Sequence, residues 1–196
     1  MYYPSGHRRL DAKVRAPFVL AELRALRIAI SERSPALQRA LEIADDIEHN
    51  HDLSRADLFV PALDTSCALL EPFEHSMVTG ALRQIGNALF PQYVSILGIP
   101  PANVRTALQV SAGGDLVRTI CGAYTDCIVG PDAGALVADV TAAGAMITDT
   151  SFLPCQLQIG VLLGAGALTG LFCDTALIET RCRSRGDGAC AYELAF

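Results

Sequence analysis

Apolar residues recur at helical spacing in two segments near the N-terminus, residues 17–31 and 35–49. The second segment begins after Ser34 and with Pro35, a typical helix N-cap residue followed by a proline that suits the first turn. Its apolar positions, three or four residues apart, are Leu37, Leu41, Ala44 and Ile47. The pattern predicts two amphipathic helices.

Patterns in the middle of the chain are weaker. Residues 50–64 indicate a loose connection, and a helix is predicted to begin near Pro72. The apolar side of that helix would consist of Met77, Leu82, Ile85 and Leu89. A Pro-Pro pair and a Gly-Gly pair interrupt residues 91–122, which predicts short helices. Residues 130–143 fit a strand and a helix equally well.

The C-terminal quarter has clearer patterns. Residues 144–151 predict a strand, residues 155–172 a helix with many small side chains, and residues 176–182 another strand. A Gly-Asp-Gly turn at 186–188 connects this strand to an alternating one at 189–195. The sequence therefore predicts an α/β (α+β) fold. In it, N-terminal helices pack on a small, mostly antiparallel sheet, and the chain ends as strand, helix and β-hairpin.

Composition narrows the function classes. The 196 residues carry a net charge of −6 and no long basic run, so nucleic acid and anionic membrane surfaces are not expected as partners. Residues 1–9 lack the apolar core of a signal peptide, which favours a cytoplasmic protein. The longest apolar run, residues 159–173, is shorter than the roughly 20 residues of a membrane span and favours a buried helix.

Seven cysteines without an export signal need an explanation other than disulfides. Three of them join a glutamate in the pattern C-x23-E-x2-C-x7-C, formed by Cys155, Glu179, Cys182 and Cys190. Cys182 and Cys190 flank the predicted hairpin turn, and Cys155 opens the preceding helix, where the helix dipole favours a thiolate. The strand must end or twist near Arg181 if Glu179 and Cys182 bind one ion, because residues three apart in a regular strand face opposite sides.

Three thiolates and one carboxylate suit a four-coordinate zinc ion. Such a site has a charge of about −2, which Arg181, Arg183 and Arg185 are placed to offset from positions next to the ligands. A solvated hairpin whose cysteines only fill space explains the same spacing. The spacing alone leaves both interpretations open.

The last quarter of the chain, Ala145–Phe196, resembles the C-terminal signature of the 4-vinyl-reductase domain family, a hydrocarbon-binding family. The matching residues are Ser151–Cys155, the helix glycines Gly160, Gly164 and Gly170, then Ile178–Cys182 and Gly186–Tyr192. The family is similar in fold to vesicle-tethering complex subunits and haem-type nitric oxide sensor domains. The resemblance implies a 4-vinyl-reductase-like ligand-binding domain at 61–196, preceded by an N-terminal helical arm at 1–60.

Members of this family occur beside bacteriochlorophyll synthesis and as sensory modules of phenol-responsive transcriptional activators. In those activators the matching Cys, Glu, Cys and Cys hold zinc, so the resemblance implies a structural zinc at the four residues named above. The activators hold phenol with a His and a Trp. This chain has no Trp, and residues 95–135 contain no His. Leu177 and Ile159 stand where the activators have aromatic residues, so phenol recognition does not carry over.

These features favour a stand-alone binding module. A pocket of roughly 300 Å³ or more for a small apolar ligand is predicted along the helix at 155–172, with the N-terminal helices closing it. Its wall would include Gly160, Gly164 and Ala167. Glycines serve close packing equally well, and that alternative stays open. The module would act as an accessory or carrier protein in (bacterio)chlorophyll or tetrapyrrole metabolism, or as a sensor of aromatic compounds.

Two other functions are alternatives. A vinyl reductase acting on a tetrapyrrole would need a hydride source, and the sequence has no nicotinamide or flavin motif. A scaffold protein would use its apolar surface to bind a partner chain. The amphipathic helices within residues 17–49 also predict a homodimer, because each buries only one face.

Two clusters outside the cysteine pattern have simpler explanations. The acidic, histidine-containing stretch Asp45–Asp52 could bind a metal but fits a solvated helix end better. His75 beside Glu74 could form an acid–base pair, although a histidine at the surface or at the edge of the core is the simpler interpretation. The remaining cysteines are predicted to be small buried hydrophobes: Cys67, Cys121, Cys127 and Cys173.

Overall fold

The computed structural model describes residues 10–29, 35–74, 79–173 and 176–196. The seven α-helices within these ranges are α1 (Ala16–Ala29), α2 (Pro35–Asn50), α3 (Ala68–Glu74), α4 (Thr79–Ile96), α5 (Val104–Ala107), α6 (Gly113–Cys127) and α7 (Cys155–Thr169). The seven strands are β1 (Lys13–Arg15), β2 (Phe59–Pro61), β3 (Ile128–Val129), β4 (Leu136–Val140), β5 (Gly144–Asp149), β6 (Leu177–Arg181) and β7 (Cys190–Ala195). Helices with two small antiparallel sheets confirm the predicted fold class.

The two N-terminal helices are present as predicted, within one residue at each end that the structure describes. α1 packs against α4, and α2 packs against α3. Arg27 in α1 connects the first two helices through ion pairs with Asp45 at 3.2 Å and Glu48 at 2.8 Å. The Ser34 cap and residues 30–31 lie outside the described ranges.

A three-stranded sheet near the N-terminus was not predicted. Its order is β2-β1-β3, and both pairings are antiparallel. Each strand has only two or three residues, too few to show an alternating pattern. Residues 50–64 therefore contain β2 and the start of a π-helical turn, Leu63–Cys67, and not only a loose connection. Because β1 pairs with β3, the predicted arm and the predicted domain share one sheet.

Pro100 and Pro101 separate α4 from α5 as predicted, whereas two other prolines of the middle region lie inside helices. Pro72 lies inside α3 and Pro91 lies inside α4. The helix expected to begin near Pro72 corresponds to two helices, α3, which ends at Glu74, and α4, which begins at Thr79. Of its predicted apolar side, Leu82, Ile85 and Leu89 are buried, and Met77 lies outside the described residues.

Gly113 and Gly114 mark the second predicted break, because α5 ends at Ala107 and α6 begins at Gly113. A side chain at Gly113 would collide with the ring of Phe196, and one at Gly114 would collide with Val140. Glycine is required here by close packing. α5, with four residues, is short as predicted, whereas α6, with 15 residues, is longer than predicted.

The C-terminal elements match the prediction. The second sheet has the order β4-β5-β7-β6, and all its neighbours are antiparallel. In β7, Tyr192 and Leu194 are buried while Glu193 is exposed, which is the predicted alternation. Residues 130–143, which fitted a strand and a helix equally well, contain β4.

α7 is an uncharged, mostly buried helix that packs against α4. A Cβ atom at Gly160 would lie 2.9 Å from Gly86 Cα, and one at Gly164 would lie 3.0 Å from Asn87 Cα. Because real side chains do not approach this closely, glycine lets the two helix backbones touch. The contact holds α7 in place, with Cys155 at its N-terminal end. No helix in the described ranges combines the length and hydrophobicity needed to cross a bilayer.

Candidate metal centre and apolar cavity

The structure brings together the four residues predicted to bind zinc. One ligand atom from each of Cys155, Glu179, Cys182 and Cys190 lies within 4.8 Å of the others. Cys155 is the first residue of α7, Glu179 lies in β6, Cys182 follows β6, and Cys190 begins β7. The start of a helix and two neighbouring strands therefore meet at one point.

An irregularity at the end of β6 turns Glu179 and Cys182 toward the same point. The register between β6 and β7 shifts between Glu179 and Arg181, where the strand ends. This is the break that the spacing required. Asp187 then accepts a hydrogen bond from the Cys182 N–H at 2.8 Å. Gly186, with a φ of 95°, closes the turn in a conformation that favours glycine.

The sulfur atoms of the cluster are in contact and largely shielded from solvent. Cys155 Sγ lies 3.2 Å from Cys182 Sγ, which in turn lies 2.9 Å from Ser184 Oγ. Cys182 and Cys190 are buried, and Cys155 is partly exposed. Thiols gathered in this way are a donor set for a soft or borderline metal ion.

Hydrogen bonds lower the pKa of the Cys190 thiol. A hydrogen bond from the Cys155 thiol is the largest cause that lowers the pKa of Cys190 to about 4. The main-chain N–H and the Nε–H of Arg183 donate to the same sulfur at 3.4 and 3.5 Å. The hydrogen bond that the Cys155 thiol donates to Cys190, together with burial, raises the pKa of Cys155. A metal ion bound by these cysteines would displace their thiol protons.

Glu179 offers a carboxylate oxygen that has no hydrogen-bond partner. Its Oε1 is buried and unpaired, while Oε2 accepts a hydrogen bond from Arg185 at 3.1 Å. An unpaired buried carboxylate oxygen is costly, so its position beside three thiols is where a cation would be favoured. In a tetrahedral zinc site the ligand atoms lie about 3.8 Å apart, which agrees with the 4.8 Å limit of this cluster. The residues fit a four-coordinate metal ion.

Arg183 has a positioning role in addition to offsetting the negative charge of the cluster. It lies 3.7 Å from the carboxylate of Asp149, and it donates hydrogen bonds to the main-chain oxygens of Ser151 and, at 3.0 Å, Leu153. The guanidinium therefore ties the loop before α7 to the hairpin. Of the other two predicted arginines, Arg185 pairs with Glu179 and Arg181 is exposed.

A buried polar network lies beside the cluster. Asp149 accepts hydrogen bonds from the Ser151 N–H at 2.8 Å and from the Tyr192 hydroxyl at 3.1 Å. Gln158 Nε2 donates to Ser151 Oγ at 3.3 Å. Burial raises the pKa of Asp149, while its hydrogen bonds and Arg183 oppose the shift. The sequence pattern assigned no role to these residues, although a glutamine inside an uncharged helix was a usable signal.

An apolar cavity of about 70 Å³ lies between α1, α4, α6 and α7. Its walls include Phe18 of α1, Leu89 and Phe90 of α4, Ile120 and Ala123 of α6, and Gln158 and Val161 of α7. At one side, the Tyr93 hydroxyl and Cys127 Sγ lie 3.0 Å apart and form a hydrogen bond. The cavity touches α7 and is closed by α1 as predicted, but it is smaller than the predicted 300 Å³.

The glycines predicted to line a pocket lie elsewhere. Gly160 and Gly164 face the main chain of α4, which is the close-packing alternative. Ala167 lines a second, open groove of about 890 Å³ between α4 and the C-terminal end of α7, next to Arg83, Asn87 and other residues. This groove is broad and partly polar, whereas the smaller cavity is almost entirely apolar.

The other clusters of the sequence have local roles. In the stretch Asp45–Asp52, two carboxylates pair with Arg27, Asp46 accepts a hydrogen bond from Asn50, and Asp52 accepts one from Ser54. His75 lies outside the described residues. Of the remaining cysteines, Cys67 and Cys127 are buried, Cys121 is partly exposed and Cys173 is exposed, so the prediction of burial is wrong for Cys173.

Comparison with known proteins supports the architecture. No family model and no curated protein matches this sequence. Among solved structures, the fold is similar to that of an H-NOX protein from S. oneidensis, a triple mutant in the Fe(II) ligation state. The TM-score is 0.50 at 12% sequence identity, over 91% of this chain and 94% of that chain. The chain therefore has the nitric oxide sensor architecture that the resemblance implied, and the likeness shows the fold alone.

Proposed function

We propose that this protein is a small-molecule-binding, sensor-like domain that folds around a structural zinc ion. The observation that carries the proposal is the convergence of three thiols and a carboxylate, all within 4.8 Å of one another. Four protein ligands leave no open position for a substrate, which favours a structural over a catalytic ion. The H-NOX-like architecture and the resemblance to 4-vinyl-reductase domains support a binding role.

The zinc assignment has a direct test. Bound zinc would join the start of α7 to the β6–β7 hairpin, so metal binding would be coupled to folding. Native mass spectrometry of protein purified without chelator is expected to show one zinc per chain. Protein that is folded and free of metal under these conditions would overturn the assignment.

We propose that the ligand is a small apolar molecule held in the cavity between α1, α4, α6 and α7. The polar groups in the cavity wall bond to protein partners: Tyr93 to Cys127, and Gln158 to Ser151. They therefore require no polar group on the ligand. The volume of about 70 Å³ is roughly half that of an apolar cavity known to bind benzene or xenon. This size favours a sensor of small molecules over a tetrapyrrole carrier, the other role implied by the resemblance.

Xenon, which is smaller than benzene, is a suitable probe for this cavity. Binding is expected to shift the NMR signals of the Val161 and Ile120 methyl groups. Ala123→Phe fills the cavity from α6 and should abolish these shifts. Ala167→Phe, in the open groove, is the matched control and should leave them unchanged. If Ala167→Phe alone abolishes binding, the ligand occupies the groove and the cavity assignment is wrong.

We further propose that the protein is a cytoplasmic homodimer. The support for a dimer is that α2 buries one face only and that Ile28 of α1 is 61% exposed. A cluster of reduced thiols suits a reducing compartment. Light scattering at micromolar concentration is expected to give twice the chain mass of 20.8 kDa. A mass equal to one chain would contradict the dimer.

A further inference from the structure

A chain of buried hydrogen bonds runs from the metal cluster to the apolar cavity. At one end, Arg183 donates to Cys190 Sγ and to the main-chain oxygen of Ser151. Ser151 is fully buried, and its hydroxyl accepts a hydrogen bond from the Gln158 amide at 3.3 Å. Gln158 is 3% exposed and forms part of the cavity wall. Three hydrogen bonds therefore separate a candidate metal ligand from the cavity.

Ser151 is the residue at which the two sides meet. Its main chain serves the metal side: the carbonyl accepts from Arg183, and the N–H donates to Asp149 Oδ1 at 2.8 Å. Its side chain serves the cavity side: the hydroxyl accepts a hydrogen bond from Gln158, which lines the cavity. Ser151 thus contacts the metal side through its main chain and the cavity side through its hydroxyl.

We propose that Ser151 is a positioning residue that couples occupancy of the cavity to metal affinity at the cluster. The proposal rests on the proposed function, because both sites are assigned there. An occupant that presses on Gln158 displaces its amide from the Ser151 hydroxyl. Buried polar groups have no water to replace a lost partner, so the loop at Ser151 and the guanidinium of Arg183 move with it. Arg183 then donates less well to Cys190.

Linkage makes the coupling reciprocal. If an occupant of the cavity changes the affinity for zinc by some factor, zinc must change the affinity for that occupant by the same factor. A purely structural role for Ser151 would not produce this effect. Xenon, which binds apolar cavities without hydrogen bonds, is therefore a probe that separates coupling from general stability.

The test measures zinc affinity by competition with a chelator in wild-type protein and in four variants. Ser151→Ala and Gln158→Leu break the same hydrogen bond from its two ends, and each should lower zinc affinity by about 2- to 30-fold. The double variant should match the single ones, because both remove one interaction. Thr119→Val is the control: Thr119 lines the same cavity, but its hydroxyl bonds to the main chain of its own helix. It should leave zinc affinity unchanged.

The second arm adds xenon. Xenon should change the zinc affinity of the wild-type protein at least twofold and leave that of Ser151→Ala unchanged. Three results would each overturn the coupling without affecting the zinc site. The first is wild-type zinc affinity in both Ser151→Ala and Gln158→Leu, and the second is an equal loss of affinity in Thr119→Val. The third is a zinc affinity of the wild-type protein that does not change with xenon. A wild-type protein that binds no zinc would overturn the proposed function as well. Circular dichroism identifies any variant that does not fold. If one of Ser151→Ala and Gln158→Leu fails to fold, the other still tests the same hydrogen bond.

Discussion

The sulfur atoms of Cys155 and Cys182 lie 3.2 Å apart, although the two residues are 27 positions apart in the chain. The first begins a helix that packs on α4, and the second follows a strand at the edge of the sheet. A metal ion at this point would act as a cross-link between two layers of the fold. The stability of the C-terminal part should therefore depend on the cluster.

Cys190→Ser should release the metal and destabilise the fold by several kcal/mol, as expected when metal binding is coupled to folding. Metal content and the midpoint of thermal unfolding measure the two effects. Cys173→Ser is the matched control, since Cys173 is exposed and lies outside the cluster. An unchanged melting temperature in Cys190→Ser would show that the site is not structural.

Arg183→Lys should weaken zinc binding by about 10- to 100-fold, the usual cost of losing a group that orients metal ligands. Lysine keeps the positive charge but cannot reach Cys190, Ser151 and Leu153 with one planar group. Chelator competition measures the loss. Arg181→Lys, at an exposed arginine of the same hairpin, should bind zinc as the wild type does. Equal affinities in the two variants would mean that Arg183 contributes charge alone.

Glu22→Gln should remove a pH dependence of stability. Burial raises the pKa of Glu22 from 4.5 to about 8, and the hydrogen bond from Ser66 only partly opposes this shift. The folded protein therefore holds the proton more tightly than the unfolded chain does, so stability is present below pH 4.5 and is lost as the pH rises toward 8. The loss attributable to this group is on the order of 5 kcal/mol.

The measurement for Glu22 is the difference in unfolding free energy between wild type and Glu22→Gln across this pH range. The difference cancels the titration of the thiols, which both proteins share. The unfolding free energy of Glu22→Gln should increase relative to that of the wild type as the pH rises. A difference that does not vary with pH would contradict the raised pKa.

Gly164→Ala and Gly122→Ala should have opposite effects on stability. A Cβ atom at position 164 would collide with the main chain of Asn87, so alanine there should cost about 1–3 kcal/mol. Gly122 lies in the middle of α6 with open space around it, so alanine there should stabilise by about 0.5–1 kcal/mol. Urea unfolding measures both. Equal effects would show that α4 and α7 are not in close backbone contact.

The sequence predicted the parts of this fold that depend on local pattern. Strand, helix and hairpin at the C-terminus follow from hydrophobic periodicity and a Gly-Asp-Gly turn. Cys182 and Cys190 follow from their positions around that turn, and the family resemblance completed the set of four candidate ligands. The need for a break at Arg181 followed from strand geometry alone and is confirmed by the register shift. These features involve residues close in sequence or fixed by one turn.

Features that depend on distant partners could not be predicted in this way. The pairing of β1 with β3 joins residues more than a hundred positions apart, and neither strand is long enough to show a pattern. A side chain at Gly113 would collide with the ring of Phe196, a contact that no local signal contains. Likewise, whether Gly160 borders empty space or another backbone depends on α4, so the spacing of glycines could not decide between a pocket and close packing.

β6, which carries Glu179, is an edge strand: it pairs with β7 on one side only, and Ile178 on its surface is 60% exposed. An edge strand presents unpaired main-chain groups that invite pairing with another chain. Two of the four candidate ligands, Glu179 and Cys182, lie within or directly after this strand. A bound ion would hold the strand against its neighbour, so loss of the metal would favour aggregation through this edge even before the core unfolds. The cluster would then protect solubility as well as the fold.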